Sequence, residues 1–145
     1  MDNINIDLSI FEKQYCFNSS EFFLSLFYPR IKSITIDNPR KTITYRINLH
    51  EPFLNPVNKI HGGAIGMIIE NLSNSTIYYF TNKQYCTLDM NINFVNSIDI
   101  KMDFDVIVRC VKSDGMTTFL DVELKDKEKI FSNSSVIKSM VSAKF

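Results

Sequence analysis

Between Gly62 and Phe80 the sequence GGAIGMIIENLSNSTIYYF contains no proline, and Ile65, Ile68, Ile69, Leu72 and Ile77 recur at helical spacing. That spacing gathers them on one side of a helix. Few charges flank the stretch, so the helix is expected to be largely buried. Elsewhere the period changes to two. Ile43, Tyr45, Ile47 and Leu49 alternate with Thr44, Arg46 and Asn48. Leu88, Met90, Ile92 and Phe94 alternate with Asp89, Asn91 and Asn93. Ile100, Met102, Phe104, Val106, Val108 and Cys110 do the same against Lys101, Asp103, Asp105 and Arg109, and Thr118, Leu120, Val122 and Leu124 follow. Such alternation gives strands with one apolar face. Residues 31–37 are β-branched, and a last strand is expected over roughly 134–144. Asn38-Pro39 and Ser113-Asp114-Gly115 read as turns. One long helix among strands predicts an α+β chain, an antiparallel sheet wrapped on that helix, with a meander of about four strands after it.

With 145 residues and no linker, repeat or low-complexity tract, residues 1–145 read as one domain. Asn18-Ser19-Ser20-Glu21 has the form of a capping box, and Pro29 ends the segment it would open. A short N-terminal helical segment is therefore expected at about 8–29.

Lys+Arg and Asp+Glu both number 16, and the basic residues do not cluster, so nothing favours nucleic acid or an anionic membrane. The longest apolar run, residues 22–28, is far short of the ~20 residues a membrane span needs. Cys16, Cys86 and Cys110 are odd in number and form no CxxC, which argues against a disulfide framework or a zinc site and fits a reducing compartment. They read as core fillers, with Cys86 worth testing for reactivity. Two histidines, His50 and His61, are too few for a histidine-rich metal site, and no metal is expected. The acidic start MDNINIDLSIF lacks the marks of a secretory signal or presequence, so a cytoplasmic location is expected, with a mitochondrial or plastid one compatible.

The chain has four glycines, three of them at 62, 63 and 66. The first turn of a helix leaves backbone N–H groups free, and glycine lets a ligand approach them. Gly62 and Gly63 could form an oxyanion hole, or they could simply permit the turn and close packing. Glu70 stands in an apolar run. It could be a partly buried general base, its pKa raised by burial, or a solvated residue on an exposed stripe. Gly63, Gly66, Met67, Ser73 and Asn74 share its side of the helix. Gly62 and Glu70 are eight residues apart, about 12 Å along a helix. One small carbonyl cannot meet both on the same helix, so joint action implies two facing subunits. His61 reads as setting the helix start.

The run Asn55-Pro56-Val57-Asn58-Lys59-Ile60-His61-Gly62-Gly63, then Glu70, then Thr87-Leu88-Asp89-Met90-Asn91-Ile92-Asn93-Phe94, resembles the hotdog-fold acyl-CoA thioesterases of the phenylacetate and 4-hydroxybenzoyl-CoA type. The resemblance is densest over 55–94. It implies a hotdog fold, a homodimer with its sites at the interface, and often a homotetramer. It implies that Asn55 and the Gly62 amide polarise a thioester carbonyl from one subunit. Glu70 of the other subunit would act as base or nucleophile, with Thr87 holding water or the carboxylate. His61, Gly63, Asn71, Asn91 and Phe94 would complete the substrate site, with no cofactor. Glu70 stands where many relatives carry aspartate, Asn58 and Lys101 where glycine is common, and Ser97 where proline is common. Lys112, Lys138 and Lys144 are candidates for coenzyme A phosphates.

The expected function is hydrolysis of a fatty or aromatic acyl-CoA. A catalytically weak or inactive acyl-CoA binder is the alternative. A dehydratase or hydratase fits less well, because His61 directly before Gly-Gly does not match the arrangement such enzymes use.

Overall fold

A computed structural model describes residues 28–141. The segment expected at 8–29 lies almost wholly outside them; Tyr28–Arg30 form a short 3-10 turn. Six strands follow: β1 (Ile31–Asp37), β2 (Thr42–Asn48), β3 (Tyr85–Phe94), β4 (Asp103–Ser113), β5 (Thr117–Asp126) and β6 (Lys129–Met140). The single long helix, α1 (Gly62–Thr81), lies between β2 and β3 in the chain.

The sheet is antiparallel in the order β1-β2-β4-β5-β6-β3. The expected four-strand meander is therefore corrected. Only β4, β5 and β6 form one, while β3 crosses to the far edge and pairs with β6 alone. Ile43, Tyr45 and Ile47 of β2, Phe104, Val106 and Val108 of β4, and Leu120, Val122 and Leu124 of β5 face α1. Ile65, Ile68, Ile69 and Leu72 of the helix close the core over them. Two tyrosine hydroxyls reach the helix here: Tyr45 Oη lies 2.9 Å from Thr76 Oγ1, and Tyr28 Oη 2.7 Å from Ser75 Oγ.

Two strand limits and one register differ from the periodicity. β4 begins at Asp103 rather than Ile100, because Lys101 adopts a left-handed φ of 64°. That conformation carries a steric cost in lysine that glycine would not have. β6 begins at Lys129, reached through the two-residue turn Lys127-Glu128 with Lys127 at φ 52°. The turn lacks the Asn-Gly or Asp-Gly that signals a hairpin, so the sequence hid it. The Ser113-Asp114-Gly115 turn is as expected: Gly115 sits at φ 89°, and Asp114 Oδ1 accepts the Met116 and Thr117 amides.

The third difference shapes the site. β3 pairs Thr87 with Lys138 and Asp89 with Ile137, leaving Leu88 as the extra residue of a β-bulge. A bulge shifts the side-chain alternation by one. Thr87, Met90, Ile92 and Phe94 therefore face α1, while Leu88, expected among them, is 63% exposed.

Candidate active site

The residues before α1 form a tight loop organised by Asn55. Its Oδ1 accepts the amides of Val57 and Lys59, both at 3.0 Å, and its backbone N–H donates to Lys59 O at 2.7 Å. Asn58 takes a left-handed φ of 59°, which asparagine tolerates better than most residues. Lys59 forms an ion pair with Asp99, and the Ile60 amide donates to Ile98 O at 2.9 Å, fastening the loop to the β3–β4 connection. The His61 amide donates to Phe53 O at 2.7 Å, which brings the Asn55 loop alongside the helix start. Asn55 Nδ2 has no hydrogen-bond partner among the described residues and is half-exposed.

His61 caps α1. Its Nδ1 accepts the Gly63 amide at 2.9 Å, and its carbonyl accepts the Ile65 amide at 3.1 Å. The Gly63 N–H is thus occupied, whereas the Gly62 N–H is left without a partner among the described residues. Neither glycine has a positive φ, so the turn itself does not require them. Close approach is tight only at Gly63, where a methyl would lie 3.2 Å from His61 Nδ1; at Gly62 and Gly66 it would make ordinary contacts, 3.4 Å from Phe94 Cζ and 3.6 Å from Ile92 Cδ1. His61→Ala should cost about 1 kcal/mol of stability by leaving the Gly63 amide uncapped, and His61→Asn should restore most of it. Urea denaturation of both variants checks this; equal stability of wild type and His61→Ala would remove the capping role.

Gly62 beside Phe94, Gly66 beside Ile92 and Glu70 beside Thr87 show that α1 lies antiparallel along the inner face of β3. Glu70 is half-buried there, with 34% of its side chain exposed. Its Oε2 accepts from the Thr87 hydroxyl and from Lys138 Nζ at 3.0 Å, and its Oε1 accepts from Asn74 Nδ2 at 3.2 Å. Burial pushes the Glu70 carboxyl up, as the sequence suggested, but Thr87, the Lys138 charge and Asn74 outweigh it and hold the pKa below the ordinary glutamate value. The expected raised pKa is thereby corrected. Lys138 is fully buried, and burial lowers its pKa despite Glu70. It cannot reach a coenzyme A phosphate in solvent.

The other candidates divide. Asn71 is half-buried, with Nδ2 donating to Met67 O at 2.7 Å. Phe94 covers Gly62 and is 57% exposed. Asn91 lies on the opposite face of β3 from Met90 and Ile92, so within one protomer it does not join Glu70. That outer face bears an open groove of 720 Å³ lined by Thr35, Thr44, Asn93 and Arg109 among others. Its arginines are neutralised, Arg109 by Asp121 at 2.9 Å and Arg40 by Asp37 at 3.7 Å. Cys86 is exposed rather than a core filler, and burial pushes the Cys110 thiol up to about 11. Among the described residues no three His, Cys, Asp or Glu side chains are placed to share a metal, and no helix is long and apolar enough to cross a membrane.

No protein-family profile and no curated protein matches the sequence. Solved structures do match. Zebrafish thioesterase superfamily member 2 superimposes with a TM-score of 0.75 at 20% identity, over 92% of this chain and 94% of its own. A mutant thioesterase from Pseudomonas aeruginosa gives 0.72 at 18% identity, over 94% and 95%. A Streptococcus mutans protein bound to acetyl-CoA gives 0.68 at 17% identity, over 75% and 87%. The chain has the hotdog fold.

Within this hotdog architecture, two members of the Glu70 cluster carried weak sequence signals. Asn74 lies one helical turn beyond Glu70, the spacing of side chains that meet. Lys138 has the strand parity of Val136 and Met140, which placed it on the inner face had parity been given weight over the lysine's charge.

Proposed function

We propose that the protein is an acyl-CoA thioesterase, hydrolysing a fatty or aromatic acyl-CoA to the free acid and coenzyme A as a homodimer. The observation that carries this reading is a half-buried carboxylate held ionised on the inner face of a hotdog sheet, with one oxygen bound by both Thr87 and Lys138 and the other by Asn74 alone. The free Gly62 N–H, at the positive end of the helix dipole, and the free Asn55 Nδ2 supply donors for the thioester oxygen as negative charge develops there. Glu70 of the facing protomer takes a proton from the water that attacks the carbonyl, or attacks the carbonyl itself; the C–S bond breaks, the coenzyme A thiolate departs and is protonated, and on the second route water then opens the acyl–Glu70 anhydride to the free acid and the carboxylate. Thioesterase structures on the same fold, and one binding acetyl-CoA, support the substrate class.

A dimer suits β3, which has one edge unpaired among the described residues and carries exposed Leu88 and Phe94, with Val95 just beyond. Exposed apolar residues beside a free strand edge favour pairing with a second copy. An inactive acyl-CoA binder is the second reading. It is favoured by the lowered Glu70 pKa, which weakens the carboxylate as a base.

Thiol release from short, long and aromatic acyl-CoAs, against a no-substrate blank for the protein's own cysteines, separates the two. Turnover establishes the thioesterase; binding without turnover establishes the binder. The two-subunit site has its own test. Asn55→Ala and Glu70→Gln homodimers should both be nearly inactive, yet mixing and re-equilibrating them should restore about a quarter of wild-type activity, because half the dimers then hold one intact site. No recovery despite subunit exchange would place Asn55 and Glu70 in the same protomer's site or outside it.

A further inference from the structure

Lys138 is the one fully buried lysine among the described residues. It stands directly opposite Thr87 in the β3–β6 register, on the face the Leu88 bulge turns toward α1. Its Nζ donates to Thr87 Oγ1 and to Glu70 Oε2, and the Thr87 hydroxyl donates to the same Oε2. Two donors from two strands, β3 and β6, thus close on a single carboxylate oxygen carried by α1. Oε1 is left with Asn74 Nδ2 alone, at 3.2 Å.

A buried ammonium is costly, and its place here contributes neither solubility nor contact with a solvent phosphate. What it does is fix a carboxylate that would otherwise rotate about its last torsion. We propose that Lys138 is a positioning residue for thioester hydrolysis, clamping Oε2 of Glu70 together with Thr87 so that Oε1 is the oxygen presented to the substrate. This rests on the reading of Glu70 as the reacting group. The groups bearing on the clamp are Glu70 and Asn74 from α1, Thr87 and the Cys86 thiol from β3, and Lys138 from β6. Glu70 is the ionisable group in contact with Lys138, and the exposed Cys86, next to Thr87 on the other face of β3, lies within electrostatic reach.

The test is Lys138→Met, which keeps an unbranched side chain of similar length and removes charge and donors. Loss of orientation should lower kcat by about ten- to a hundredfold with KM little changed. The acid limb of the pH–rate profile should move to higher pH, since the ammonium that favours the ionised carboxylate is gone. The midpoint of Glu70 followed by carbon NMR of its side-chain carboxyl should rise with it. A merely structural lysine would leave limb and midpoint in place. Wild-type kcat with an unmoved limb overturns the proposal. Should Lys138→Met fail to fold, Lys138→Gln, which can still donate but carries no charge, is measured in the same way with the same deciding outcomes. Should the wild type hydrolyse no acyl-CoA, the proposed function falls, and the NMR midpoint still decides whether Lys138 governs Glu70; an unmoved midpoint overturns that as well.

Discussion

Glu70→Gln should lower kcat for acyl-CoA hydrolysis by about 100-fold or more, the loss expected when a general base or carboxylate nucleophile is removed. The carboxamide keeps the length of the side chain and one oxygen, which can still accept from Thr87 and Lys138 while its amide nitrogen replaces the oxygen that met Asn74, so acyl-CoA affinity should change little. Titration of the variant with the same acyl-CoA panel checks that part. The wild-type pH profile follows from the direction of the pKa. The reaction needs the ionised carboxylate, and the Glu70 pKa lies below its ordinary value, so activity should persist from neutral pH down past the usual glutamate midpoint of about 4.3 before it falls. Single turnover in oxygen-18 water reveals a nucleophilic Glu70 whose anhydride opens at its own carbonyl, because the product acid then leaves unlabelled and the label enters Glu70, whereas water attacking the acyl carbon labels the product by either route. Turnover that survives Glu70→Gln would remove Glu70 from the chemistry while leaving the activity.

The helix and the alternating strands were legible because each has a clean period, and Ile65, Ile68, Ile69, Leu72 and Ile77 are all buried as that period requires. Strand order was not legible. Nothing local in β3 says that it pairs with β6 across the sheet rather than with β4, its neighbour in the chain. The bulge at Leu88 was hidden for a related reason, since a leucine in an alternating run looks inward until the partner strand's register is known. That one residue decides whether Thr87 meets Glu70. The environment of Glu70 was half legible. Its position on the helix and its neighbour Asn74 follow from local spacing, but the sign of its pKa shift depends on Lys138, which lies 68 residues away. Burial alone would have raised that pKa; the cation and the hydroxyl reverse it.

Breaking the Glu70–Lys138 pair should also cost stability, and in a pH-dependent way. In Glu70→Ala the Lys138 ammonium stays fully buried with Thr87 as its main partner. Leaving one partner of a buried pair uncompensated costs about 3–5 kcal/mol. Glu70 keeps a third of its side chain in solvent, so about 2–4 kcal/mol is the expected loss here. The sign with pH follows from proton counting. Lys138 has a folded pKa below its unfolded value, so between those two values the unfolded chain holds more protons and stability rises with pH. Removing Glu70 takes away the attraction that opposes this, the folded pKa falls further, and the window widens toward neutral pH. The deficit of Glu70→Ala should therefore be largest where Glu70 of the wild type is ionised and Lys138 still charged, on the acid side of neutral, and shrink as the solution becomes alkaline. The wild type behaves differently at the acid end. Its depressed Glu70 contributes stability above the unfolded glutamate value and loses it as pH falls through the folded one. Urea denaturation of wild type, Glu70→Ala and the double variant Glu70→Ala/Lys138→Met at pH 6 and pH 9 tests all of this. The double variant buries no charge at this point and should recover most of the loss at both pH values, because an apolar replacement of a buried pair is often neutral. A Glu70→Ala protein as stable as wild type, or a double variant no better than Glu70→Ala, would show that the lysine is not held at an electrostatic cost and that the carboxylate is not what compensates it.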